Sequence, residues 1–307
     1  MGVNRLSVAP DLLEAALRHH RGESSQEDEV VLGSIAFSRL AGGKNNGVYR
    51  AHADGTDCCI KIFKVDVRQR GKREWESLLH LRGNGIDYVP TPYQFTTVDG
   101  TAVLVMELVR GSHLGHRYLS QDQLEILACR VKRLHVLPFE GRPENARVFL
   151  APERVNGLIG SMKEVPVQDQ STAKCQELWH TLSRGPELGL LRQTSELVFS
   201  RMDTSLANLM WDGVTIRVVD LEYGGWTERV FDLAEQVEHV QSRGTPDSAW
   251  DWYLQQFSLK PEERIRLRGT QRLLAFDCAR RFWPAKDGRS SDNFVEQVER
   301  VSRLCQA

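Results

Sequence analysis

Two polar stretches in the second half of the chain carry residues that could do chemistry. Asp203 and Asn208 are five residues apart in SRMDTSLANLMWDG, and Asp220 follows in VVDLEYGG. An Asp-Gly pair lies between the two apolar runs that join these stretches, which predicts a β-hairpin. A hairpin brings its ends together, so Asn208 and Asp220 could share one Mg²⁺, whose preferred ligands are oxygens. Asp203 would then lie just outside the hairpin, where a hydroxyl group could approach.

Phosphoryl transfer is the chemistry that such a set of oxygens suits. The reaction needs a cradle for the nucleotide phosphates, a cation on them, oxygen ligands for Mg²⁺ and a group that orients the acceptor hydroxyl. The turn GGKNNG, which includes Gly42, Gly43 and Asn46, could let backbone N–H groups approach phosphate. An ordinary hairpin turn between two strands is the alternative interpretation.

A lysine inside an apolar strand supplies the candidate cation. Lys61 lies in CCIKIF, where its stem could be buried with the ammonium group directed toward a cleft. Exposure on the solvent face of the strand is the alternative. A helix packed on this sheet could bring Glu74 to Lys61 as an ion pair that holds the lysine against the phosphates. Glu76 is the competing candidate for that pair.

The first 110 residues predict a mostly antiparallel sheet with one helix packed on it. Helical spacing of apolar residues predicts helices, and period-two alternation predicts strands. The predicted order is β-β-β-α-β-β, after an N-terminal helical extension within residues 1–30. The predicted helices are Pro10–Arg21 and Arg68–Arg82; the strands are Ile35–Leu40, Gly47–Ala53, Cys58–Phe63, Tyr93–Thr97 and Ala102–Leu108; Arg21–Glu29 is a polar loop.

Residues 111–307 predict a larger, mainly helical region. The predicted elements are helices at Ser120–Leu137, Ala151–Met162 and Ser171–Leu182, strands at Leu206–Trp211 and Ile216–Val219, and helix interrupted by Gly and Pro from Phe231 to Cys305. The sequence thus predicts an α+β protein with two lobes. Residues 1–110 form the small β-rich lobe that binds nucleotide, and residues 111–307 form the α-helical lobe for catalysis and substrate binding.

Composition excludes several classes of function. The formal net charge of -1 argues against a general nucleic-acid binder. The six cysteines form no C-x-x-C pair, which predicts reduced thiols and a cytoplasmic protein. The chain starts without an apolar signal region, and it has no run of 18 apolar residues, so no membrane association is expected.

These motifs resemble those of the aminoglycoside phosphotransferase/choline kinase family, a branch of the protein-kinase-like fold. The resemblance covers roughly Leu40–Arg110 and Phe199–His239, and Leu134-His135 matches a helix of that family. It implies ATP or GTP with Mg²⁺ as cofactors and transfer of the γ-phosphoryl group to a hydroxyl group of a small molecule. The implied nucleotide-binding residues are Gly42, Gly43, Asn46, Lys61, Glu74 and the linker near Glu107 and Val109. Asp203 is implied as catalytic, Asn208 and Asp220 as metal ligands, and Asp232 as a structural brace.

The chain departs from the family pattern around Asp203. The family usually has His-Gly immediately before the catalytic aspartate, whereas this chain has Arg201-Met202. Arg201, which we include among the candidate catalytic residues, could brace the loop through its guanidinium group or contact the acceptor or a phosphate. The stretch Thr204–Ala207 also replaces the histidine-containing stretch of the family, so the departures concern the acceptor.

The C-terminal region bears on the acceptor as well. Trp250, Trp252, Tyr253 and Trp283 could form an aromatic wall for a cationic substrate, or they could be core residues. Residues 260–303 contain 11 Lys/Arg against 7 Asp/Glu, and residues 138–197 contain no acidic run. An aminoglycoside pocket would need clustered acids, so antibiotic phosphorylation is disfavoured.

Two further hypotheses stay open from the sequence. The first is a kinase that acts on Ser or Thr of a peptide or natural-product precursor, with an open groove instead of an enclosed pocket. The second is a pseudokinase that binds nucleotide or a partner without turnover. The complete set of Lys61, Asp203, Asn208 and Asp220 argues against the pseudokinase. The oligomeric state does not follow from the sequence.

Overall fold

The computed structural model describes most of the chain. The described residues are 8–23, 29–32, 35–40, 46–53, 55–65, 67–115, 118–161, 166–185, 187–284 and 290–306. Gly42 and Gly43 of the glycine-rich turn lie outside these ranges, so their role in binding phosphate stays a prediction.

Two units divide the chain, and each is described by itself. The first comprises Met1–His113, Gly141–Ala146 and Asn208–Gly224, and the second comprises Leu114–Glu140, Arg147–Ala207 and Gly225–Ala307. The hairpin predicted to bind metal therefore groups with the N-terminal sheet, although it lies far along the chain. A domain boundary near Arg110–Gly111 stays a prediction.

A six-stranded antiparallel sheet with two helices forms most of the first unit. The sheet order is β1-β2-β3-β4-β6-β5. The strands are β1 Glu29–Leu32, β2 Ile35–Arg39, β3 Gly47–Ala53, β4 Thr56–Ile62, β5 Pro92–Val98 and β6 Thr101–Glu107, and the helices are α1 Pro10–His20 and α2 Arg70–Gly83. The predicted helices and strands are confirmed to within two residues at each end. Glu29, predicted as the end of a polar loop, instead begins β1.

The two helices pack on opposite faces of the sheet. Leu12, Leu13 and Leu17 of α1 are buried in one cluster with Tyr49 and Ile60. Burying a leucine side chain contributes roughly 2 kcal/mol, so α1 is held mainly by these contacts. Side chains alternate along a strand, so Lys61 points to the other face, where α2 lies.

The close approach of α2 to the sheet depends on a glycine. A Cβ atom at Gly71 would lie 2.8 Å from the Phe63 ring and 2.9 Å from the Ala102 side chain. Such distances require something to move, so only glycine fits at this position of the first turn. Because α2 packs this closely, Glu74, one helical turn later, lies within contact distance of Lys61 on β4.

A small second sheet completes the first unit. It joins β7 Ser112–His113, β10 Leu209–Trp211 and β11 Ile216–Val218 in the order β11-β10-β7. The predicted hairpin is present, with Leu209 opposite Val218. The predicted strand at Leu206–Trp211 is wrong at its start, because Leu206–Asn208 form a 3-10 turn before the strand begins.

The second unit is mainly helical. Its helices are α3 Gln121–His135, α4 Ala151–Ser161, α5 Gln170–Arg184, α6 Glu187–Leu191, α7 Arg229–Glu238, α8 Asp247–Gln255, α9 Pro261–Arg281 and α10 Asp292–Gln306. The strands β8 Arg147–Phe149, β9 Leu197–Ser200 and β12 Gly225–Glu228 form a three-stranded sheet in the order β8-β12-β9. This small sheet and α6 were not predicted. No helix within the described ranges is both long and apolar enough to cross a bilayer.

Candidate active site

Lys61 is the centre of a buried ionic cluster in the first unit. Its Nζ atom lies 2.6 Å from Glu74 Oε2 and 2.8 Å from Asp220 Oδ1. The predicted ion pair with Glu74 is therefore present. The competing candidate, Glu76, instead lies 3.8 Å from Lys72 on the surface of α2. Burial alone would lower the pKa of Lys61, but the neighbouring carboxylates raise it above its usual value, so Lys61 is a cation.

The same burial and the neighbouring carboxylates disfavour the ionised form of Glu74. Burial, together with the charges of Asp220 and Glu222, raises the pKa of Glu74 to about 7 against the attraction of Lys61. Its Oε1 atom accepts a hydrogen bond from Leu221 N at 3.3 Å, which ties α2 to the end of the hairpin. One lysine therefore faces more negative charge than it can balance, and an added cation would relieve the excess.

Asp220 ends the hairpin in an unusual backbone conformation. Its φ is 61°, in the left-handed region that aspartate tolerates better than most residues, and 37% of its side chain is exposed. Val219 N donates to Asn208 O at 2.9 Å, so the two ends of the hairpin meet as predicted. Asn208 Nδ2 is buried without a partner among the described residues.

Glu222 is a site residue that the sequence reasoning missed. It is 3% exposed and accepts hydrogen bonds from Asn46 Nδ2 at 2.7 Å and from Arg70 Nη1 at 3.1 Å. Oxygens of Glu74, Asp220 and Glu222 lie within 4.8 Å of one another. Its nearness to Asp220 in the sequence was the one available signal, but the left-handed backbone at Asp220 (φ 61°) makes the side on which Glu222 lies unpredictable from spacing. The Asn46 side chain is thus engaged by Glu222, and its contact with nucleotide stays a prediction.

The residues present fit a divalent metal ion. Asp220 and Glu222 offer carboxylate oxygens close to one another, Asn208 carries an amide oxygen at the other end of the hairpin, and Lys61 neutralises only part of the charge. Oxygen donors in small number, with room left for water and phosphate, are the set that Mg²⁺ prefers.

We expect Mg-nucleotide to bind more weakly below neutral pH. The raised pKa of Glu74 means that its carboxyl group takes up a proton as the pH falls through about 7. A bound cation favours the ionised form, so the proton must leave, and affinity should fall by up to about tenfold per pH unit below 7. Calorimetric titration with ADP and Mg²⁺ at pH 6, 7 and 8 measures this. In Glu74→Gln, the affinity should change with pH only through protonation of the nucleotide itself. The same pH dependence of affinity in both proteins would contradict the prediction.

The linker residues Glu107 and Val109 lie at and beyond the end of β6. The Glu107 carboxylate accepts from Arg217 at 2.5 and 2.9 Å, and its backbone N–H donates to Thr91 O at 2.8 Å. These bonds fix the end of β6 to β11, so the Glu107 side chain stabilises the packing of these two strands. Contact of the nucleotide base with the backbone near Val109 stays a prediction.

The loop of residues 201–207, which carries Asp203, belongs to the second unit and lies against the end of α7. Arg201 is 3% exposed, and its Nη2 atom donates to Gln236 Oε1 at 2.5 Å. Thr204 Oγ1 donates to Glu235 O at 2.9 Å. Of the two roles open for Arg201, these contacts favour bracing the loop. Its assignment as catalytic stays untested.

Asp203 is held in one orientation by its own loop. Its Oδ1 atom accepts a hydrogen bond from Ser205 N at 3.1 Å. Ser205 Oγ donates to Gln241 Oε1 at 2.7 Å, and Ala207 N donates to the same oxygen at 2.9 Å. The loop is therefore anchored on both sides of Asp203, which leaves Oδ2 available for another donor.

Met202 adopts a left-handed backbone conformation at the position where the resembled family usually has glycine. Its φ is 61°, and Asp203 N donates to Arg201 O at 2.7 Å, which closes a three-residue γ-turn around it. This conformation is strained for any residue except glycine. Met202 N donates to Ser200 Oγ at 2.9 Å, which helps to hold the turn.

We expect Met202→Ile to lower the free energy of unfolding by about 1–2 kcal/mol, because a β-branched residue is least able to adopt this φ. Met202→Gly should leave stability within about 1 kcal/mol, because relief of strain is offset by the greater entropy of the unfolded chain. Urea denaturation measures both. Met106→Ile, in strand β6, is the matched control and should lower the free energy of unfolding less than Met202→Ile does. Equal losses would contradict backbone strain at Met202.

The predicted brace beneath the loop is present. Asp232 Oδ2 lies 2.6 Å from His135 Nε2, and Ser200 Oγ donates to Asp232 Oδ1 at 2.5 Å. Burial raises the pKa of Asp232, but these partners outweigh it and hold the pKa below its usual value. Asp232 therefore stays ionised and supports the start of the γ-turn through Ser200.

Two of the four aromatic residues proposed for a substrate wall are buried in the core. Trp250 and Tyr253 are 2% and 0% exposed, and Trp250 Nε1 donates to Ser242 O at 3.0 Å. Trp283 Nε1 donates to Pro166 O at 3.2 Å. An aromatic wall for a cationic substrate is therefore wrong for Trp250 and Tyr253, because both rings are enclosed by protein.

Comparison with known proteins identifies the family. A model of the phosphotransferase enzyme family matches residues 36–266, which is most of the chain. A comparison of the sequence with curated proteins found no significant match.

Solved structures show the same fold. Choline kinase from Cryptosporidium parvum Iowa II has a TM-score of 0.62 at 13% identity, over 96% of this chain and 94% of that one. Spectinomycin phosphotransferase, in complex with ADP and spectinomycin, has a TM-score of 0.60 at 12% identity, over 98% and 99%. An aminoglycoside-3'-phosphotransferase of type VIII has a TM-score of 0.53 at 21% identity, over 86% and 98%.

The predicted fold class is confirmed by these likenesses: a protein-kinase-like fold with a small β-rich lobe and a larger α-helical lobe. The family model covers the segments that carry Lys61, Glu74, Asp203, Asn208 and Asp220. By sequence and by fold, this chain belongs to the phosphotransferase enzyme family and is a phosphotransferase.

Proposed function

We propose that this enzyme transfers the γ-phosphoryl group of ATP or GTP, with Mg²⁺, to a hydroxyl group of a small molecule. The observation that carries the proposal is the position of Lys61 Nζ between the carboxylates of Glu74 and Asp220. A lysine fixed in this way is a cation placed beside oxygens that can hold a metal ion. Phosphoryl transfer relies on these two charges and on positioning.

In this proposal the first unit binds the nucleotide. Lys61 contacts the phosphates, and Glu74 holds the lysine in place. Asn208 and Asp220 supply oxygens for Mg²⁺, and Glu222 lies close enough to Asp220 to join them. Bound Mg²⁺ would neutralise charge on the phosphates. Gly42, Gly43 and Asn46 complete the phosphate turn, and the base contacts the backbone near Val109.

The second unit supplies the group that orients the acceptor. Ser205 N fixes one oxygen of Asp203, and the other can accept the hydroxyl hydrogen bond. Asp203 thereby aligns the acceptor oxygen with the phosphorus and takes its proton as the new P–O bond forms. Arg201 acts through its contact with α7 and keeps the loop in place.

A small molecule is the proposed acceptor class because the similar proteins have names that specify small molecules, among them a choline kinase and a spectinomycin phosphotransferase. A cytoplasmic location, an N-terminal nucleotide-binding lobe of residues 1–110 and a C-terminal catalytic lobe of residues 111–307 are further parts of the proposal, and all rest on the sequence. A peptide acceptor is one possible outcome of the test below.

The test is a transfer assay with γ-labelled ATP and, separately, GTP. The acceptors are sugars, amino alcohols, hydroxy acids, aminoglycosides and Ser/Thr peptides. We expect label to pass to at least one small molecule, with one ADP or GDP formed per product. Transfer to peptides alone would replace the proposed acceptor class, and nucleotide binding without any transfer would contradict the proposed function.

A further inference from the structure

His239, near Asp203, is held in one tautomer by a backbone hydrogen bond. His239 follows α7, and its Nδ1 atom accepts a hydrogen bond from Gln241 N at 3.2 Å. Burial lowers the pKa of His239 to about 4; Asp203 opposes the shift, and Arg201 and Arg281 add to it. A neutral imidazole that accepts at Nδ1 carries its proton on Nε2. His239 therefore offers a hydrogen-bond donor within the electrostatic reach of Asp203.

Helix α9 brings an arginine to the same end of α7. Cys278 Sγ donates to Glu238 O at 3.4 Å, and Gln271 Nε2 donates to Glu238 Oε1 at 3.0 Å. These contacts place α9 directly beside the residue that precedes His239. Arg281 is three residues beyond Cys278 and so shares its side of the helix.

Arg281 and its neighbour Arg280 are held by one buried acid. Arg281 Nε and Nη2 lie 3.0 and 2.7 Å from Asp277 Oδ2, and Arg280 Nη2 lies 2.9 Å from Oδ1. Two cations share a single carboxylate, so the group keeps one positive charge. The Arg281 side chain is 66% exposed, and its Nη1 atom takes no part in the pair with Asp277. The arginine is thus both oriented and able to bind another anion.

Another acid near this group is already paired. Burial raises the pKa of Glu235, against the opposing effects of Arg154 and Arg281, and its Oε1 atom accepts from Arg154 Nη2 at 3.0 Å. Two further acids of this region are paired as well: Asp232 with His135 and Ser200, and Glu238 with Arg300 and Gln271. Asp203 is assigned to the acceptor hydroxyl. Arg201 and Arg281 both act electrostatically on His239, as Asp203 does. A cationic acceptor near His239 would therefore meet an excess of arginine, whereas an anionic one would find partners.

We propose that the acceptor carries a carboxylate or phosphate group besides its hydroxyl group, and that Arg281, supported by Arg280, binds this anion while His239 Nε2 donates to the same molecule. The inference rests on the proposed function and names its substrate class. The hydroxyl oxygen attacks the γ-phosphorus, its proton passes to Asp203, and the bond to the β–γ bridging oxygen breaks to release ADP. The anionic group is unchanged by the reaction.

The test uses four compounds that share the glycerol skeleton and differ in charge. D-glycerate carries a carboxylate, glycerol 3-phosphate carries a phosphate, glycerol is neutral and 3-amino-1,2-propanediol is a cation. Binding to the full-length protein is measured by calorimetry with Mg-ADP present, and turnover is measured as acceptor-dependent ADP formation. The two anions distinguish a carboxylate site from a phosphate site.

We expect at least one anion to bind about tenfold more tightly than glycerol and the cation, and to be the better acceptor if turnover occurs. Arg281→Gln should remove this preference, mainly through KM and with little change in kcat. Arg268→Gln, on the same helix and 3.7 Å from Asp251, is the matched control and should behave as wild type.

Preference for the cation, or equal anion binding by Arg281→Gln and Arg268→Gln, would overturn the inference even if hydroxyl groups are phosphorylated. So would the absence of Arg281-dependent binding for both anions. Arg281-dependent anion binding without phosphorylation of any compound would support the anion site and count against the proposed function instead. The two proposals therefore fail separately.

Discussion

Asp203→Asn is expected to lower kcat by about 10²–10⁴-fold while the affinity for Mg-nucleotide stays nearly unchanged. The reason lies in the held geometry of Asp203. Asparagine can still accept the hydrogen bond from Ser205 N through its amide oxygen. It cannot take the proton of the acceptor hydroxyl, because an amide is a very weak base. The variant should therefore keep its loop and lose the chemical step.

Single-turnover phosphoryl transfer measures the loss, and calorimetry with Mg-ADP measures the binding. Asp212→Asn is the matched control, because Asp212 Oδ1 also accepts backbone bonds in a turn, from Val214 N at 2.9 Å and Thr215 N at 2.8 Å. The control should keep wild-type kcat. A rate for Asp203→Asn within about threefold of wild type would remove Asp203 from its proposed role.

Asp220→Asn should weaken Mg-nucleotide binding by about 100-fold or more, because it removes a charged oxygen from the proposed metal site. The change in nucleotide affinity without Mg²⁺ distinguishes a metal ligand from a residue with another role. Asp220 Oδ1 lies 2.8 Å from Lys61 Nζ, so the substitution also frees part of the lysine charge. Nucleotide without Mg²⁺ should therefore bind the variant at least as tightly as it binds wild type.

Calorimetry with ADP in the presence and absence of Mg²⁺ separates the two effects. Asp99→Asn is the control in the same unit: Asp99 lies in a turn with φ of 46°, which asparagine tolerates, and its side chain is 72% exposed. Its binding should match wild type in both conditions. If Asp220→Asn retains the full effect of Mg²⁺, Asp220 does not hold the metal.

The part of the site that could be predicted from the sequence is the part fixed by local geometry. Asn208 and Asp220 terminate one hairpin, and an Asp-Gly turn predicts such a hairpin from neighbouring residues alone. The pair of Lys61 and Glu74 also follows from a strand and the next helix in the chain. In each case the sequence separation is short and the pairing partners are adjacent elements.

Glu222 could not be placed in the same way. Its partners Asn46 and Arg70 are separated from it by 176 and 152 residues, and neither shows in its own sequence context that it points at a buried acid. The side on which Glu222 lies depends on the positive φ of Asp220, which no pattern of residue types predicts.

The unpredicted strands have a related cause. β8 and β12 have three and four residues, too few for alternation to be recognised, and they pair in parallel across a long stretch of chain. Such pairings depend on tertiary packing and not on local preference. The role of Asp203 stays a prediction, and the anchoring of residues 201–207 on α7 emerged only from the fold.

The proposed activity is tested most directly by mass spectrometry of acceptor and nucleotide after incubation of the enzyme with Mg²⁺, ATP or GTP and the hydroxyl compounds described above. The account predicts that one compound gains a single phosphoryl group, that the nucleotide diphosphate forms in equal amount, and that Asp203→Asn forms neither product at a comparable rate. Binding of Mg-nucleotide without transfer to any hydroxyl compound would contradict it and would favour a nucleotide-binding protein without turnover.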